Sequence, residues 1–577
     1  MKNADIAAIF YAMADILDIQ KVQWKPNAYR KAARMIEMLG EPIENVYERG
    51  GLKALEGIPG VGEALAKKIE QFLHSGKVDE YEEMKKEMPA GLADLVSVPG
   101  LGPKKAYRLY RELRIRSLAD LEKACRKHTV AKLEGFGQKS ESNILKALEL
   151  VKKGQERTLL GVALPIADEI IGRLKGVKGV IRVEAAGSLR RRAETVGDID
   201  ILVTAKDAGP VMDMFTSMPE VDDVLAKGAT KSAIVFRSGR HHIQTDVRVV
   251  EDGSFGAALQ YFTGNKEHNI AMRRIAIGKG YKLNEYGIFD RKDRVVAGKD
   301  EAGIYKALGV PWIPPELREN QGEIGAAVKG RLPKLIEPGD IRGDLHTHTR
   351  WTDGNNTVEE MVDAAERMGY EYICITDHSK STTVANGMDE ERLLEYIDDV
   401  RKVAKARKGI GVLVGCEVDI TADGELDYGD EYLKRLDIVC ASIHSRFKSD
   451  KKEMTERVLA AFTNKHLKVF CHPTGRIIHQ REPYEIDLDR IFGEAAQRRI
   501  ALEVDSIPDR LDLNGQQARK AIEAGVKLAI DTDAHEAEGL KFIGLGVATA
   551  RRGWAEKKDV INAMPFKELA KYWKLRI

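Results

Sequence analysis

Three kinds of apolar patterning follow one another along the chain. Up to residue 157 the apolar positions recur at helical spacing, punctuated by glycine hairpins. Between 158 and 257, four short runs predict strands of a mixed sheet: Val180–Ala185, Ile199–Val203, Ala233–Phe236 and Ile243–Val250. Residues 258–317 return to helix and short strand, and 318–340 carry several Gly and Pro and read as a linker. From 341 onward strand and helix alternate, with strands expected at Tyr372–Thr376, Gly411–Val418, Asp437–Ser442, Lys468–Cys471, Ile500–Val504 and Val526–Ile530. That alternation predicts an α/β barrel. The fold class expected is therefore multidomain, α+β followed by α/β. The expected boundaries are 1–90, 91–157, 158–257, 258–317, a linker 318–340, and 341–577.

A short repeat lies within the helical region. Gly57-Ile-Pro-Gly-Val-Gly62 leads into Glu63–Leu73, Val98-Pro-Gly-Leu-Gly102 into Pro103–Leu113, and a weaker copy, Glu134-Gly-Phe-Gly137, into Gln138–Leu150. Glycine permits the tight turn, and the helix behind it presents unpaired N–H groups and a positive dipole end to an anion. Such helix-hairpin-helix units hold nucleic-acid backbone without reading sequence. Gly60, Gly62, Gly100 and Gly102 are the candidate contacts.

Composition alters this picture little. A chain of 577 residues is too long for one core, and 43% hydrophobic with 32% charged residues reads as soluble. No apolar run approaches the ~20 residues of a membrane span, and no signal peptide is evident. Five cysteines without CxxC spacing suit a reducing cytoplasm and read as buried strand residues. The net charge of +2 is uninformative, but its distribution is not. Residues 1–157 hold 28 Lys+Arg against 23 Asp+Glu, a net of +5, so the remaining residues carry −3. The basic excess lies where a phosphate backbone would be held.

The front half has one strong catalytic signal, the segment Gly187-Ser-Leu-Arg-Arg-Arg-Ala-Glu-Thr-Val-Gly-Asp-Ile-Asp200. Asp198 and Asp200 are two apart on a predicted strand, so their carboxylates share a face. Paired carboxylates repel unless divalent cations lie between them, as in two-metal phosphoryl transfer. Gly187-Ser188 offers close backbone approach and a hydroxyl to a triphosphate, and Arg190–Arg192 offset its charge. Asp246, in the alternating Ile243–Arg248, is placed to be a third carboxylate and the base near a primer hydroxyl. A Gly-Ser and Asp-x-Asp pattern is shared by many nucleotidyltransferases and does not alone select DNA synthesis.

Tyr261-Phe-Thr-Gly-Asn-Lys-Glu-His-Asn-Ile-Ala-Met-Arg273 narrows the choice. With the glycine hairpins and Asn284–Ile288, it resembles the family X DNA polymerases, the DNA polymerase beta family, over roughly residues 1–317. The resemblance implies a palm over 158–257 and a thumb over 258–317. It places Tyr261, Phe262 and Gly264 beside the sugar of the incoming nucleotide, Asn269 at its minor-groove edge, Arg273 near the templating base, and Ser188 and Arg191 on the triphosphate. The implied partners are gapped or primer–template DNA and a dNTP, and the implied ions are two Mg²⁺ or Mn²⁺ held by Asp198, Asp200 and Asp246. Lys266 stands where the polymerase beta enzyme carries an acidic residue, and is expected to attract the triphosphate or the template. Lys68 falls on the family's Schiff-base lyase position, and Lys25 and Tyr29 on its 5′-phosphate pocket. Ala64 and Glu80 replace further lysines of that pocket, which weakens the case for lyase chemistry.

The back half carries a second constellation: Asp344-Leu-His-Thr-His348, Asp353, Asp377-His378, Glu417, His444, His472 and Asp533-Ala-His535. Strand ends of an α/β barrel converge on one rim, so these residues can meet. Nitrogen and carboxylate donors in this number suit Zn, Mn or Fe and exceed what one ion requires. Metals sharing bridging ligands would activate water against a phosphorus. From residue 341 to 577 the chain resembles the PHP (polymerase and histidinol phosphatase) phosphoesterases, which implies a distorted TIM-like barrel. That family's nine ligands match His346, His348, Asp353, His378, Glu417, His444, His472, Asp533 and His535, implying up to three Mn²⁺, Zn²⁺ or Fe²⁺ ions. Asp344 and Asp377 are expected to orient ligating histidines, and His479, Arg476 and Arg510 to line a phosphate pocket.

The expected protein is thus a monomeric, cytoplasmic gap-filling DNA polymerase of base excision repair. Its fused phosphoesterase would trim 3′ ends as a manganese-dependent 3′–5′ exonuclease, with incision at abasic sites and removal of 3′-phosphates as further candidate activities. Two competing readings are a metabolic phosphatase with an accessory nucleic-acid-binding front half and a non-enzymatic DNA scaffold.

Overall fold

The computed structural model describes residues 2–575 except 21, 38, 40, 41, 59, 87–90, 97, 99, 100, 134, 139, 143, 146, 147 and 149–156. Gly100 therefore lies outside the described residues. The chain divides into two compact units: Met1–Thr158, Val162–Ala185 and Thr195–Glu251 form the first, and Leu159–Gly161, Ala186–Glu194 and Asp252–Ile577 the second.

The first unit opens with helices α1 (Lys2–Ile19), α2 (Lys25–Glu37), α3 (Ile43–Glu56) and α4 (Glu63–Ser75). Their apolar stripes meet in one core around Phe10, Ile36, Ile69 and Phe72. Helix α5 (Pro103–Leu113) contributes Ala106 and Leu109 to a separate core with Leu101, Leu121 and Cys125. Gly62 precedes α4 and Gly102 precedes α5, and neither helix start has a side-chain cap. Gly60 has a φ of +70°, and a Cβ there would lie 2.9 Å from Lys31 Cγ, so this turn requires glycine.

That unit also holds a five-stranded sheet of β1 (Val180–Ala185), β2 (Asp198–Ala205), β3 (Val221–Lys227), β4 (Lys231–Ser238) and β5 (His241–Val249), in spatial order β1-β2-β5-β4-β3. β2 and β5 pair in parallel and the other neighbours are antiparallel, which makes the sheet mixed, as expected. β3 is not among the predicted strands. Every residue after its first is exposed, so it has no buried face to generate alternation.

The second unit begins with α6 (Phe255–Thr263), α7 (Lys266–Gly278), three short antiparallel strands within Lys282–Ala297, and α8 (Glu301–Ala307). Ala257, Met272, Ala276, Ile288, Ile304 and Tyr305 form its small core. Residues 318–340 contain helix α9 (Glu323–Val328), whose fully buried Glu323 bonds the His268 ring at 2.6 Å.

Seven parallel strands follow: β6 (Gly343–Asp344), β7 (Tyr372–Ile375), β8 (Gly411–Asp419), β9 (Ile438–Ser442), β10 (Leu467–Phe470), β11 (Ala501–Asp505) and β12 (Leu528–Asp531), ordered as in the sequence. A parallel bridge between Thr347 and Ala534 and a His348 N–H donated to Ala534 O (2.8 Å) bring the two edges together. Alternation sorts the strand residues. Tyr372, Cys374, Leu413, Ile438, Cys440, Val469 and Ala529 fill the barrel interior, whereas Ile373, Ile375, Val412, Val414 and Val439 pack outward under the helices. Burial on both sides explains the near-continuous apolar runs. All five cysteines are buried. Four lie on or beside barrel strands, but Cys125 is in a helix (Leu118–Arg126), not a strand. Helix α10 (Ile543–Arg552) ends in two arginines. Among the described residues, no helix is long and apolar enough to cross a membrane.

Candidate active sites

In the first unit the parallel pairing of β2 with β5 sets Asp200 directly opposite Asp246, and Asp198 opposite Gln244. Residues in register share a face, so the three carboxylates expected from sequence emerge on one side of adjacent strands. Sequence reasoning missed the two side chains that hold Asp246: Gln244 donates to Oδ1 (2.9 Å), and the Lys231 ammonium on β4 lies 3.0 Å from Oδ2. Neither residue belongs to a motif.

Tyr29 is buried and lies beside the Lys68 ammonium, with Lys25 exposed at the start of the same helix α2. Lys68 pairs with Glu80 at 2.8 Å. Burial lowers the Lys68 pKa, but Glu80 and Tyr29 outweigh it and raise the value above that of an ordinary lysine. A Schiff-base nucleophile needs the opposite shift.

The residues expected on the nucleotide side belong to the second unit. Ser188 lies on the single helical turn Gly187–Arg190. Arg190, expected near the triphosphate, is spent on structure: it bonds both oxygens of Glu301 (2.7 and 3.0 Å) and Thr263 Oγ1. Arg318, wholly buried, bonds the same carboxylate. Burial works against a charge on Glu301, yet the Arg318 and Arg190 guanidiniums hold its pKa down to about 2. Arg191 donates from Nε to Glu319 (3.0 Å) and from Nη1 to Thr263 O (2.6 Å).

Tyr261 and Phe262 meet edge to face with ring centroids 5.1 Å apart, and the Arg273 guanidinium sits 5.7 Å from the Tyr261 ring. Gly264 ends α6 with a φ of +65°. Asn265 caps α7 by accepting from the His268 N–H, and Lys266 projects exposed from the first turn. Asn269 is buried. It donates to Tyr261 O (2.6 Å) and accepts from Gln260 (2.8 Å), which fixes the end of α6 that carries Tyr261 and Phe262.

At the barrel rim the sequence-selected ligands converge. His348, Asp353, His378 and His535 form one cluster, His346, His348 and Asp533 a second, and His378, Glu417 and His444 a third. His472 joins through Nε2, 2.8 Å from Glu417 Oε1. The clusters share His348 and His378, and Glu417 also lies 3.5 Å from both His346 and His348. Bridging donors of this kind fit several ions.

The electrostatics fit cations as well. Burial disfavours a charge on His346, but Glu503, Asp533 and Glu417 outweigh it and raise its pKa well above the ordinary histidine value. His444 is pushed up to about 10, Glu417 and Asp419 overcoming its burial. His348 goes the other way, down to about 3, through burial and the adjacent His535 and His378 rings. It is therefore a neutral imidazole with a lone pair to offer, and its buried Nδ1 has no hydrogen-bond partner among the described residues.

The carboxylates that orient these rings are not the expected ones. Asp344 accepts from the His346 backbone and from Thr532, and Asp377 from the backbone and hydroxyls of Thr349 and Thr352; neither bonds a ligand's ring. Glu503 accepts from His346 Nδ1 at 2.7 Å, and Asp419 faces His444 Nδ1 at 3.1 Å. Both lie inside strands rather than in loops after them. A sequence signal existed: Glu503-Val-Asp505 repeats the alternate-carboxylate spacing of Asp198-Ile-Asp200 inside a buried apolar strand. Arg510 lies 3.4 Å from Asp505 and 4.0 Å from Asp533, at the ligand cluster. Arg476 is instead bonded to Glu194 and Leu511 O, and His479 has a left-handed backbone (φ 66°).

Models of known families match most of the chain. The DNA polymerase beta palm matches residues 164–254 and the DNA polymerase beta thumb 258–319. A helix-hairpin-helix domain matches 1–78, a SAM-like helix-hairpin-helix tandem 52–114 and 92–149, and the PHP domain 344–506. The chain is 38% identical to the "DNA polymerase/3'-5' exonuclease PolX" of Bacillus subtilis, over the full length of both. It is 24% identical to DNA polymerase lambda of Rattus norvegicus over 55% of this chain and 56% of that one. Against a probable phosphatase of Shewanella sediminis it is 27% identical, over 38% of this chain and 89% of that one. The phosphatase likeness is confined to a minor part of the chain, whereas the likeness to the bacterial polymerase takes in all of it. The chain belongs to the family X DNA polymerases that carry a C-terminal PHP domain.

Proposed function

We propose that the protein is a DNA-directed DNA polymerase that fills short gaps during base excision repair. In this reading its PHP domain removes 3′-terminal nucleotides as a metal-dependent 3′–5′ exonuclease. The observation that carries the first activity is the register that sets Asp200 against Asp246 with Asp198 on the same face. The residues fit two Mg²⁺ or Mn²⁺, which when bound supply charge neutralisation at the triphosphate and acidify the primer hydroxyl. The helix-hairpin-helix turns at Gly60–Gly62 and Gly102 hold the backbone of gapped or primer–template DNA. Tyr261, Phe262 and Gly264 line the sugar of the dNTP, and Ser188 and Arg191 receive its triphosphate. Asp246, held by Gln244 and Lys231, takes the proton of the primer hydroxyl.

The observation that carries the second activity is the convergence of all nine PHP ligands, none replaced, on one barrel rim. Mn²⁺, Zn²⁺ or Fe²⁺ in up to three positions supplies Lewis acidity toward a phosphodiester. Glu503 and Asp419 fix ring orientation, and the Arg510 cation offsets charge on the phosphate. A 3′-phosphate or an abasic site meets the same chemistry, and substrate comparison ranks the three.

The test uses 5′-labelled gapped and recessed DNA with Mg²⁺ or Mn²⁺. Asp198→Ala/Asp200→Ala should abolish extension and leave degradation, while His346→Ala/His348→Ala should do the reverse. Full extension by the first pair would refute the reading.

A further inference from the structure

The segment Ala186–Glu194, which carries Ser188 and Arg191, is held by the C-terminal barrel domain. Arg552, the last residue of α10, donates from one guanidinium nitrogen to Arg191 O (2.8 Å) and Glu319 Oε1 (3.0 Å). Glu319 is a hub. It also receives Arg191 Nε (3.0 Å) and Asn265 Nδ2 (2.8 Å), so a single carboxylate ties Arg191 to the turn that follows Gly264. Burial works against the charge on Glu319, and Arg552 is foremost among the groups that keep it ionised, with Arg191 next. At the far end of the segment, Arg476 bonds Glu194 Oε2 at 2.9 Å, and Leu160 N–H bonds Glu194 O at 2.9 Å. The neighbouring Arg551 anchors α10 independently, through Glu316 (2.9 Å), Ile336 O (2.8 Å) and Glu337 (2.7 Å). Arg552 is thus presented from a fixed support and adds nothing to the barrel's own ligand cluster.

We propose that Arg552 is a positioning residue for nucleotide addition: the barrel domain, through Arg552, Glu319 and Arg191, sets the triphosphate-binding segment against the sugar-contacting turn. This rests on the polymerase reading above and extends it, because it makes the exonuclease-bearing domain part of the nucleotide site. Without Arg552 the Arg191 carbonyl loses its donor. Glu319 also loses a cation that balances it, and so competes harder with the triphosphate for Arg191. Nucleotide affinity should therefore fall, with little effect on the chemical step at Asp198, Asp200 and Asp246.

The experiment compares wild type, Arg552→Ala and Arg552→Lys in the full chain. On gapped DNA, Arg552→Ala should raise the dNTP KM about 5- to 10-fold with kcat within about 2-fold. Arg552→Lys, which keeps the charge, should restore part of the affinity. Degradation of single-stranded DNA should be unchanged in both, which also reports a folded barrel. Amide hydrogen exchange without nucleotide or DNA supplies a readout independent of activity, with residues 187–194 expected to exchange faster in Arg552→Ala. If Arg552→Ala misfolds, Glu319→Gln probes the same hub from the other side and should loosen the same amides. Unchanged KM or unchanged exchange in a folded variant overturns the proposal. Absence of extension by wild type would instead defeat the polymerase reading, and the exchange measurement would still decide whether Arg552 holds the segment.

Discussion

Glu503→Gln isolates the role of a carboxylate that belongs to no motif. Glu503 is wholly buried; one oxygen accepts from His346 Nδ1 at 2.7 Å and the other from the His472 backbone N–H. Glutamine keeps the shape but offers one oxygen, so its NH₂ must face one of two groups that already donate. A hydrogen bond to a charged group contributes about 1.5–3 kcal/mol. Loss of such a partner behind a ligating histidine typically weakens metal binding by about 10- to 100-fold. That range corresponds to about 1.4–2.7 kcal/mol, within what one lost bond can supply. The assay is release of 3′-terminal nucleotides across a Mn²⁺ titration. The midpoint should rise by about one to two decades, while the rate at saturation changes little and Mg²⁺-supported gap filling is untouched. Asp377→Asn is the control: among the described residues its carboxylate bonds Thr349 and Thr352, and the Mn²⁺ midpoint should move far less. A folded Glu503→Gln variant with a wild-type midpoint, or an equal shift in Asp377→Asn, would refute the argument.

Two other outcomes follow from the nucleotide-side residues. The Glu301 carboxyl sits at about 2 in the folded protein against an ordinary 4.5, a depressed value, so its contribution is present above pH 4.5 and is lost as the pH falls toward 2. The difference corresponds to about 3 kcal/mol; urea unfolding between pH 6 and 3 should show a loss that Glu301→Gln removes, and parallel curves for the two proteins would contradict it. Lys266→Ala, which removes an exposed cation at the start of α7, should raise the dNTP KM about 3-fold, and an unchanged KM would end the idea that it attracts the triphosphate.

What could be read from the sequence depended on whether a residue's role leaves a periodic or motif-like trace. Six of the seven barrel strands were legible because burial on both sides writes continuous apolar runs, and most of the nine candidate ligands fall within or just after such a run. β3 was not, because an exposed edge strand has no apolar face to alternate. The fate of Arg190 was also hidden. Three consecutive arginines look equivalent in sequence, yet Arg190 meets Glu301, 111 residues away, and Arg191 meets Glu319, 128 away. The choice between triphosphate and carboxylate is made by tertiary packing.

The same reasoning separates the two kinds of acid around the ligand clusters. Asp377 stands next to His378, and adjacency along an extended segment points neighbouring side chains to opposite faces; Asp344, two residues before His346, is instead taken up by the His346 backbone N–H and the Thr532 hydroxyl. Each of these acids ends up bonding threonines and backbone amides instead. The ring partners come from other strands of the barrel. Glu503 reaches His346 across 157 residues and Asp419 reaches His444 across 25. The nearer pair spans a single β8-to-β9 connection, and the distant one a barrel that must first close. Closure, which Thr347 and Ala534 make, is therefore what brings Glu503 to the His346 ring, a contact that the spacing of the candidate ligands along the chain does not reveal.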